Sequence, residues 1–220
     1  MPAPLDLLPE LLRGLLVTLE VTAGGACLAL LMSFAGGLGR LARIRPIRTL
    51  ATIYVEVFRG TSALVQLFWF FFALPFFGVA LEPITAAILV LGLNIGAYGS
   101  EVVRGTIQAV PVEQREAATA LSLSPARTLW GIVIPQALPV MLPPAGNLVI
   151  ELLKSTALVS LISLGDLTFV AQTLRADTLR TPEIFTLVLL LYFAVALALT
   201  YGMRRLERRL SFWRQAEGAR

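Results

Sequence analysis

The sequence of 220 residues contains no histidine and a single cysteine, Cys27. One cysteine excludes an internal disulfide, and the absence of histidine excludes Cys/His metal sites and histidine-based nucleophilic triads. The sequence also lacks the G-x-x-x-x-G-K-[ST] phosphate loop, so any use of ATP requires a separate subunit that binds the nucleotide. We therefore expect neither a cofactor nor catalytic activity in this chain.

Charged residues are scarce as well. They make up 15% of the chain, against about 25% in soluble domains, while 57% of the residues are hydrophobic. A helical membrane crossing uses about 20 apolar residues, so the length allows roughly five or six crossings and no separate soluble domain. The predicted fold class is an all-α integral membrane protein of the cytoplasmic membrane, with about five transmembrane helices.

The stretches that lack charge predict where the crossings lie. We expect spans at about 13–39, 49–74, 84–104, 145–163 and 184–204, within one transmembrane domain over 11–209 that is followed by a tail at 210–220. Proline removes a backbone donor and clashes with the preceding helical turn. We therefore expect short helical pieces, and a crossing that begins only near residue 145, where four prolines interrupt the fourth stretch: Pro135, Pro139, Pro143 and Pro144.

The arginines indicate the orientation of the chain. They cluster in the first connection, in the loop after the third span and in the C-terminal tail. Loops rich in basic residues stay in the cytoplasm, which places these three regions inside and the N-terminus outside, in agreement with five crossings. Next to a span, the arginines of the tail are expected to contact anionic lipid and not nucleic acid.

The central loop, about 111–135, is long and regular. Pro111 is suited to the start of one short helix, and Ser124 followed by Pro125 indicates the N-cap and first position of a second helix. On the first helix, small alanine side chains would let a partner approach closely, while Glu113 and Glu116 provide anionic anchors. We expect both helices in the cytoplasm, between the third and fourth spans.

One motif in this loop resembles a known family. Glu116-Ala117-Ala118, then Ser122, then the run from Ile132 to Pro135 resemble the E-A-A-x3-G-x9-I-x-L-P signature of permease subunits of bacterial ABC importers, with serine in place of glycine and Ile134 in place of leucine. The resemblance implies that the loop docks into a groove of a separate ATPase subunit. The implied coupling residues are Glu113, Glu116, Ala117, Ala118, Ser122, Ile132 and Pro135.

Further segments are similar to the branch of this family that serves histidine, glutamine and other polar amino acids. The runs FRGTSALVQLFWFFFALP and ELLKSTALVSLISLGDLTF are most similar to permease subunits for ectoine and hydroxyectoine. The resemblance implies an ATP-driven importer of a small zwitterion. Its implied partners are an ATPase dimer, a second permease, identical or homologous, and an extracytoplasmic solute-binding protein.

Three acid and base pairs fall within or near the predicted spans: Glu56 with Arg59, Glu101 with Arg104, and Glu151 with Lys154. Residues three apart share a helical face, so each pair could form a structural ion pair. Charges at membrane depth also line solute paths. The candidate path residues are Glu56, Arg59, Asn147, Glu151, Lys154, Ser155 and Thr156. Asp166 is expected to cap a short outer helix.

Two alternatives remain open at this point. An ATP-independent secondary transporter or channel subunit would explain the spans and the charges, but it leaves the loop signature unexplained. A membrane-embedded enzyme would need a nucleophile, a base and an orienting group, and the chain offers no histidine for that set.

Overall fold

A computed structural model describes residues 4–215 of the chain, with side chains over 6–209, and all regular structure in that range is helical. Part of the expected tail, 210–220, therefore lies outside the described residues. The main helices are α1 (Leu8–Arg40), α2 (Arg45–Gly60), α3 (Ala63–Phe68), α4 (Pro83–Gln108), α5 (Val112–Ala120), α6 (Pro125–Thr128), α7 (Ile134–Ser155), α8 (Leu167–Thr178) and α9 (Thr181–Gln215).

The long helices account for the predicted crossings. Within the described residues, four helical segments are long and apolar enough to span a membrane: Leu8–Arg40, Pro83–Gln108, Pro125–Ile162 and Thr181–Arg209. Counted as one broken span, α2 and the helical turns over Ala63–Phe77 supply a fifth crossing, the second along the chain. The all-α class with about five spans is thus confirmed.

The second span differs from the expected single helix over 49–74. The chain bends by 105° between α2 and α3, where Thr61 is extended. The bend exposes backbone carbonyls, and two buried amides satisfy them. The Gln66 side chain donates to the carbonyls of Phe58 (2.9 Å) and Thr61 (3.2 Å), and Asn94 also donates to Phe58 (2.9 Å). Such internal partners permit a break at membrane depth.

The fourth span contradicts the expectation of short helical pieces before residue 145. α7 runs without interruption through Pro139, Pro143 and Pro144, after a π-helical turn over Leu129–Val133. A proline in a membrane helix is tolerated where local adjustments and neighbouring helices compensate for the lost backbone bond. Here α7 packs against α4 and α9 on its two sides, so packing supports a helix that proline alone would disfavour.

α1 and α4 form the closest helix pair of the bundle. Gly92 faces Leu28, Gly96 faces Met32 and Gly99 faces Ser33. A Cβ placed on Gly96 would lie 2.7 Å from the Met32 Cβ and 3.2 Å from the Ala29 carbonyl oxygen. Small residues in a row let membrane helices approach closely and gain dispersion contacts that lipid does not replace.

Asp166 caps α8, as predicted. Its carboxylate accepts hydrogen bonds from the backbone amides of Thr168 and Phe169, both at 3.0 Å. Burial raises the pKa of this carboxyl, and the two amide donors oppose that shift. The adjoining Leu167 amide donates to the Thr18 hydroxyl of α1 at 3.1 Å. The cap therefore holds the short helix α8 against the first span.

The glycine seam is tested by adding one methyl group. Gly96→Ala should destabilise the purified protein, because overpacking costs about 1 to 3 kcal/mol where the neighbour is a rigid helix. Gly105→Ala is the matched control on the same helix, since no atom beyond the adjacent backbone of α4 lies within 4 Å of its added Cβ. Thermal unfolding in detergent should show a lower midpoint for Gly96→Ala only. Equal midpoints for the two variants would contradict a tightly packed seam.

Candidate coupling surface and solute path

The two faces of α5 have different environments. At 100° per residue, Arg115, Ala118 and Thr119 share one side of the helix, and Glu113, Glu116 and Ala117 share the opposite side. Ala118 is 1% exposed, whereas the three residues of the second side are exposed. We call Glu113, Glu116 and Ala117 the docking face. Ala118 packs towards the bundle, and its predicted contact with a partner stays a prediction.

Ser122 forms the turn for which the family motif uses glycine. Its φ of 57° lies in the left-handed region. The Ser122 amide donates to the Thr119 carbonyl (2.9 Å) and the Leu123 amide to the Ala118 carbonyl (3.0 Å), which is the bonding pattern of a helix that ends on a left-handed residue. Serine thus adopts here the left-handed conformation for which the family motif uses glycine. Ser124 then caps α6, as predicted, by accepting a bond from the Arg127 amide.

The rest of the loop adds apolar surface. Ile132 is half-buried in the π-helical turn, and Pro135 is exposed. Three large apolar residues that sequence reasoning did not single out are also exposed: Val112 (59%), Leu121 (74%) and Trp130 (59%). Aromatic and apolar side chains near a few charges are typical of protein interfaces. Only their exposure reveals them, since in sequence they look like ordinary membrane-protein residues.

An ion cluster joins three helices at the bundle end where α1 and α4 finish. Glu101 accepts hydrogen bonds from Arg104 (2.8 Å and 2.9 Å), from Arg59 (2.9 Å) and from Arg40. Glu56 lies 3.6 Å from Arg40. The predicted pair of Glu101 with Arg104 is therefore present, but Glu56 and Arg59 bind residues of other helices and not each other.

This arrangement gives Glu56 and Arg59 partners on other helices, while their place on a solute path stays a prediction. Both residues are candidate path residues, and both form ion pairs in the cluster. The guanidinium carbon of Arg59 also lies 5.4 Å from the ring centre of Tyr98. Arg40, which sequence reasoning assigned to the first connection alone, is the residue that links the two acids. Arg40 and Glu101 are 61 residues apart, and a contact at that separation produces no periodic pattern in the sequence.

One face of α7 carries polar groups without partners. Asn147, Glu151 and Lys154 follow each other at i, i+4 and i+7, so they share a helical face, and all three are exposed. Glu151 and Lys154 form no ion pair with each other or with any other described residue, contrary to the ion-pair option. We call Asn147, Glu151 and Lys154 the polar face of α7.

The last two candidate path residues lie apart from this face. Thr156 is fully buried, and its hydroxyl donates to the Leu153 carbonyl at 2.7 Å and lies 3.5 Å from the Tyr192 hydroxyl. These contacts tie the end of α7 to α9, and a place for Thr156 on the solute path stays a prediction. Ser155 is half-buried beside it.

The unpaired charges on the polar face of α7 are those of Glu151 and Lys154. Leaving a charge unpaired at membrane depth costs about 2.5 to 3.5 kcal/mol, unless water or a partner solvates it.

Comparisons with known proteins agree with this architecture. The family model described as binding-protein-dependent transport system inner membrane component matches residues 25–212. A probable amino-acid ABC transporter permease of Sinorhizobium fredii is 47% identical over 95% of this chain and 90% of its own length. The glutamine transport permease of Escherichia coli is 36% identical over 92% and 94%.

A solved structure matches closely as well. The crystal structure of an amino acid ABC transporter with histidines superposes with a TM-score of 0.86 and 35% sequence identity, over 93% of this chain and 96% of that one. The family match, the relatives and the fold agree over almost the whole chain. The chain therefore belongs to the family of inner membrane components of binding-protein-dependent transport systems.

Proposed function

We propose that this chain is the permease subunit of an ATP-driven ABC importer that moves a small polar zwitterion, a polar amino acid or ectoine and hydroxyectoine, across the cytoplasmic membrane. The single observation that carries the proposal is the polar face of α7, on which a carboxylate and an ammonium are exposed without partners. ATP hydrolysis is the work of a separate subunit. No observation favours an ATP-independent mechanism.

The polar face suits a zwitterion because it offers both signs of charge. Glu151 and Lys154 are three residues apart on one side of α7, and Asn147 adds an amide one turn away. A carboxylate and an ammonium on the solute would complement these side chains, and water in the path would solvate them when it is empty. We place the path along this face, between α7 and a second permease subunit.

The docking face suits an ATPase partner. Glu113 and Glu116 provide two carboxylates around the small Ala117, with exposed Leu121 and Trp130 nearby in the loop. Closure of two ATPases would move the two central loops, and rigid tilting of the spans would then change the side to which the path opens. The orientation that this requires has the central loop in the cytoplasm and the N-terminus outside, in agreement with the positive-inside rule.

The relatives narrow the class of solute. Their names assign them to glutamine and to amino acids in general, and amino acids share the zwitterionic character of ectoine. Ectoine itself rests on the similarity of the FRGTSALVQLFWFFFALP and ELLKSTALVSLISLGDLTF runs. Calorimetry of the partner solute-binding protein with ectoine, glutamine and histidine decides among them. Tight binding of ectoine alone supports the finer proposal, and tight binding of an amino acid alone contradicts it.

The docking face predicts the effect of a charge reversal. Glu116→Lys should lower solute uptake and ATPase co-purification at least about tenfold, because losing one partner of an interfacial charge pair costs about 2 to 5 kcal/mol. Glu207→Lys, on α9, is the matched control. Uptake in reconstituted vesicles and the ATPase bound per permease check the result. Normal values for both in the Glu116→Lys complex would contradict coupling through this face.

The polar face of α7 predicts a transport defect without an assembly defect. Lys154→Met and Glu151→Gln should each reduce uptake at least about tenfold, since a lost ionic contact to the solute costs more than about 1.4 kcal/mol. The complex should still assemble, because neither group has a partner within the described chain. The exchange Glu151→Lys with Lys154→Glu should not restore uptake. Restored uptake would instead identify a structural ion pair.

A further inference from the structure

A cleft lies behind α5, on the side opposite the docking face. It has a volume of about 450 Å³, within the range of small-molecule sites. Its walls come from the end of α1, the end of α4, the helices α5 and α6 and the π-helical turn. Its lining includes Leu38, Arg43, Ile107, Arg115 and Leu129.

The cleft combines an apolar interior with positive charge. Leu38, Ile107 and Leu129 are among the apolar lining residues, while Arg43 and Arg115 provide two guanidinium groups. No acidic side chain lines the cleft. Arg43 forms no hydrogen bond or ion pair with any described residue, so its charge is free to meet a ligand. The cleft is thus complementary to a molecule with an anionic end and an apolar body.

Its place in the bundle identifies the source of such a molecule. The cleft lies where α1 and α4 end, and the positive-inside rule puts this end of the bundle at the cytoplasmic surface of the membrane. The cytoplasmic leaflet is rich in anionic phospholipid, whose phosphate lies at this level and whose acyl chains extend towards the bilayer centre. We propose that the cleft binds one anionic phospholipid, with its phosphate on Arg43 and Arg115 and its glycerol and upper acyl region on Leu38 and Leu129.

The bound lipid would also position the docking face. Arg115 donates a hydrogen bond to the Ile107 carbonyl at 2.7 Å, so it ties α5 to the end of α4. A phosphate on the remaining donors of Arg115 would link α5 to Arg43 and hence to α1. This bridge would hold Glu113 and Glu116 outward on the opposite side of the same helix. The assignment to the cytoplasmic leaflet rests on the proposed function, but the binding chemistry does not.

The test measures lipid binding to the full chain in detergent micelles, without the transport partners. Dioleoylphosphatidylglycerol is titrated, with dioleoylphosphatidylcholine and inorganic phosphate as separate arms, and binding is followed by native mass spectrometry and by the unfolding midpoint. Arg43→Gln is the main variant, because Arg43 has no structural contact to lose. Arg45→Gln is the matched control, two residues further on and outside the cleft.

Phosphatidylglycerol should bind with a stoichiometry of one and raise the unfolding midpoint. Arg43→Gln should weaken this binding about fivefold, which corresponds to about 1 kcal/mol per arginine at a membrane surface, and Arg45→Gln less than twofold. Equal weakening by both variants would show diffuse attraction and overturn the site. Equal binding of phosphatidylcholine, or a full effect of inorganic phosphate alone, would overturn the choice of ligand. Because no uptake is measured, failure here leaves the proposed transport function standing.

Discussion

A lipid bilayer offers no hydrogen-bond partners, and this constraint explains most of the structure. Every backbone group at membrane depth must find a partner inside the protein, and at the break in the second span two side chains provide such partners. Gln66 and Asn94 satisfy the carbonyls at the bend between α2 and α3. No buried side-chain nitrogen or oxygen of the described residues lacks a hydrogen-bond partner. A polar side chain in this protein therefore either bonds within the chain or is exposed to contact something outside it.

The charged side chains fall into the same two groups, those that bond within the chain and those that are exposed without a partner. Glu101 gathers three arginines and fixes α1, α2 and α4 to one another at the end from which the central loop emerges. The glycine seam holds α1 and α4 together along their length. In contrast, Glu151 and Lys154 are exposed and unpaired on α7. The unit that carries the loop thus stands beside the polar face of α7, on which we propose that solute binds, and coupled transport requires such a division.

The sequence predicts the fold class, the number of crossings and the two loop helices, because hydrophobic length, proline and capping residues act locally. It also predicts the Asp166 cap for the same reason. It misses the continuous α7, since proline penalties are local while the packing that offsets them is tertiary. It does not predict the partners of Glu56, Arg59 and Thr156, which lie on other helices. Spacing identifies residues that share a face, but it does not identify what that face meets.

The central claim is that α5 presents its docking face to a cytoplasmic ATPase subunit and its opposite face to the bundle. Cysteine labelling in a Cys27→Ser background tests it directly, with Ala117→Cys and Ala118→Cys as neighbouring sites on the two faces. An impermeant maleimide should label Ala117→Cys in inside-out vesicles but not in intact spheroplasts, and added ATPase should protect it. Ala118→Cys should react far more slowly in both. Labelling of Ala117→Cys from the outside, or equal rates at the two sites, would contradict the account.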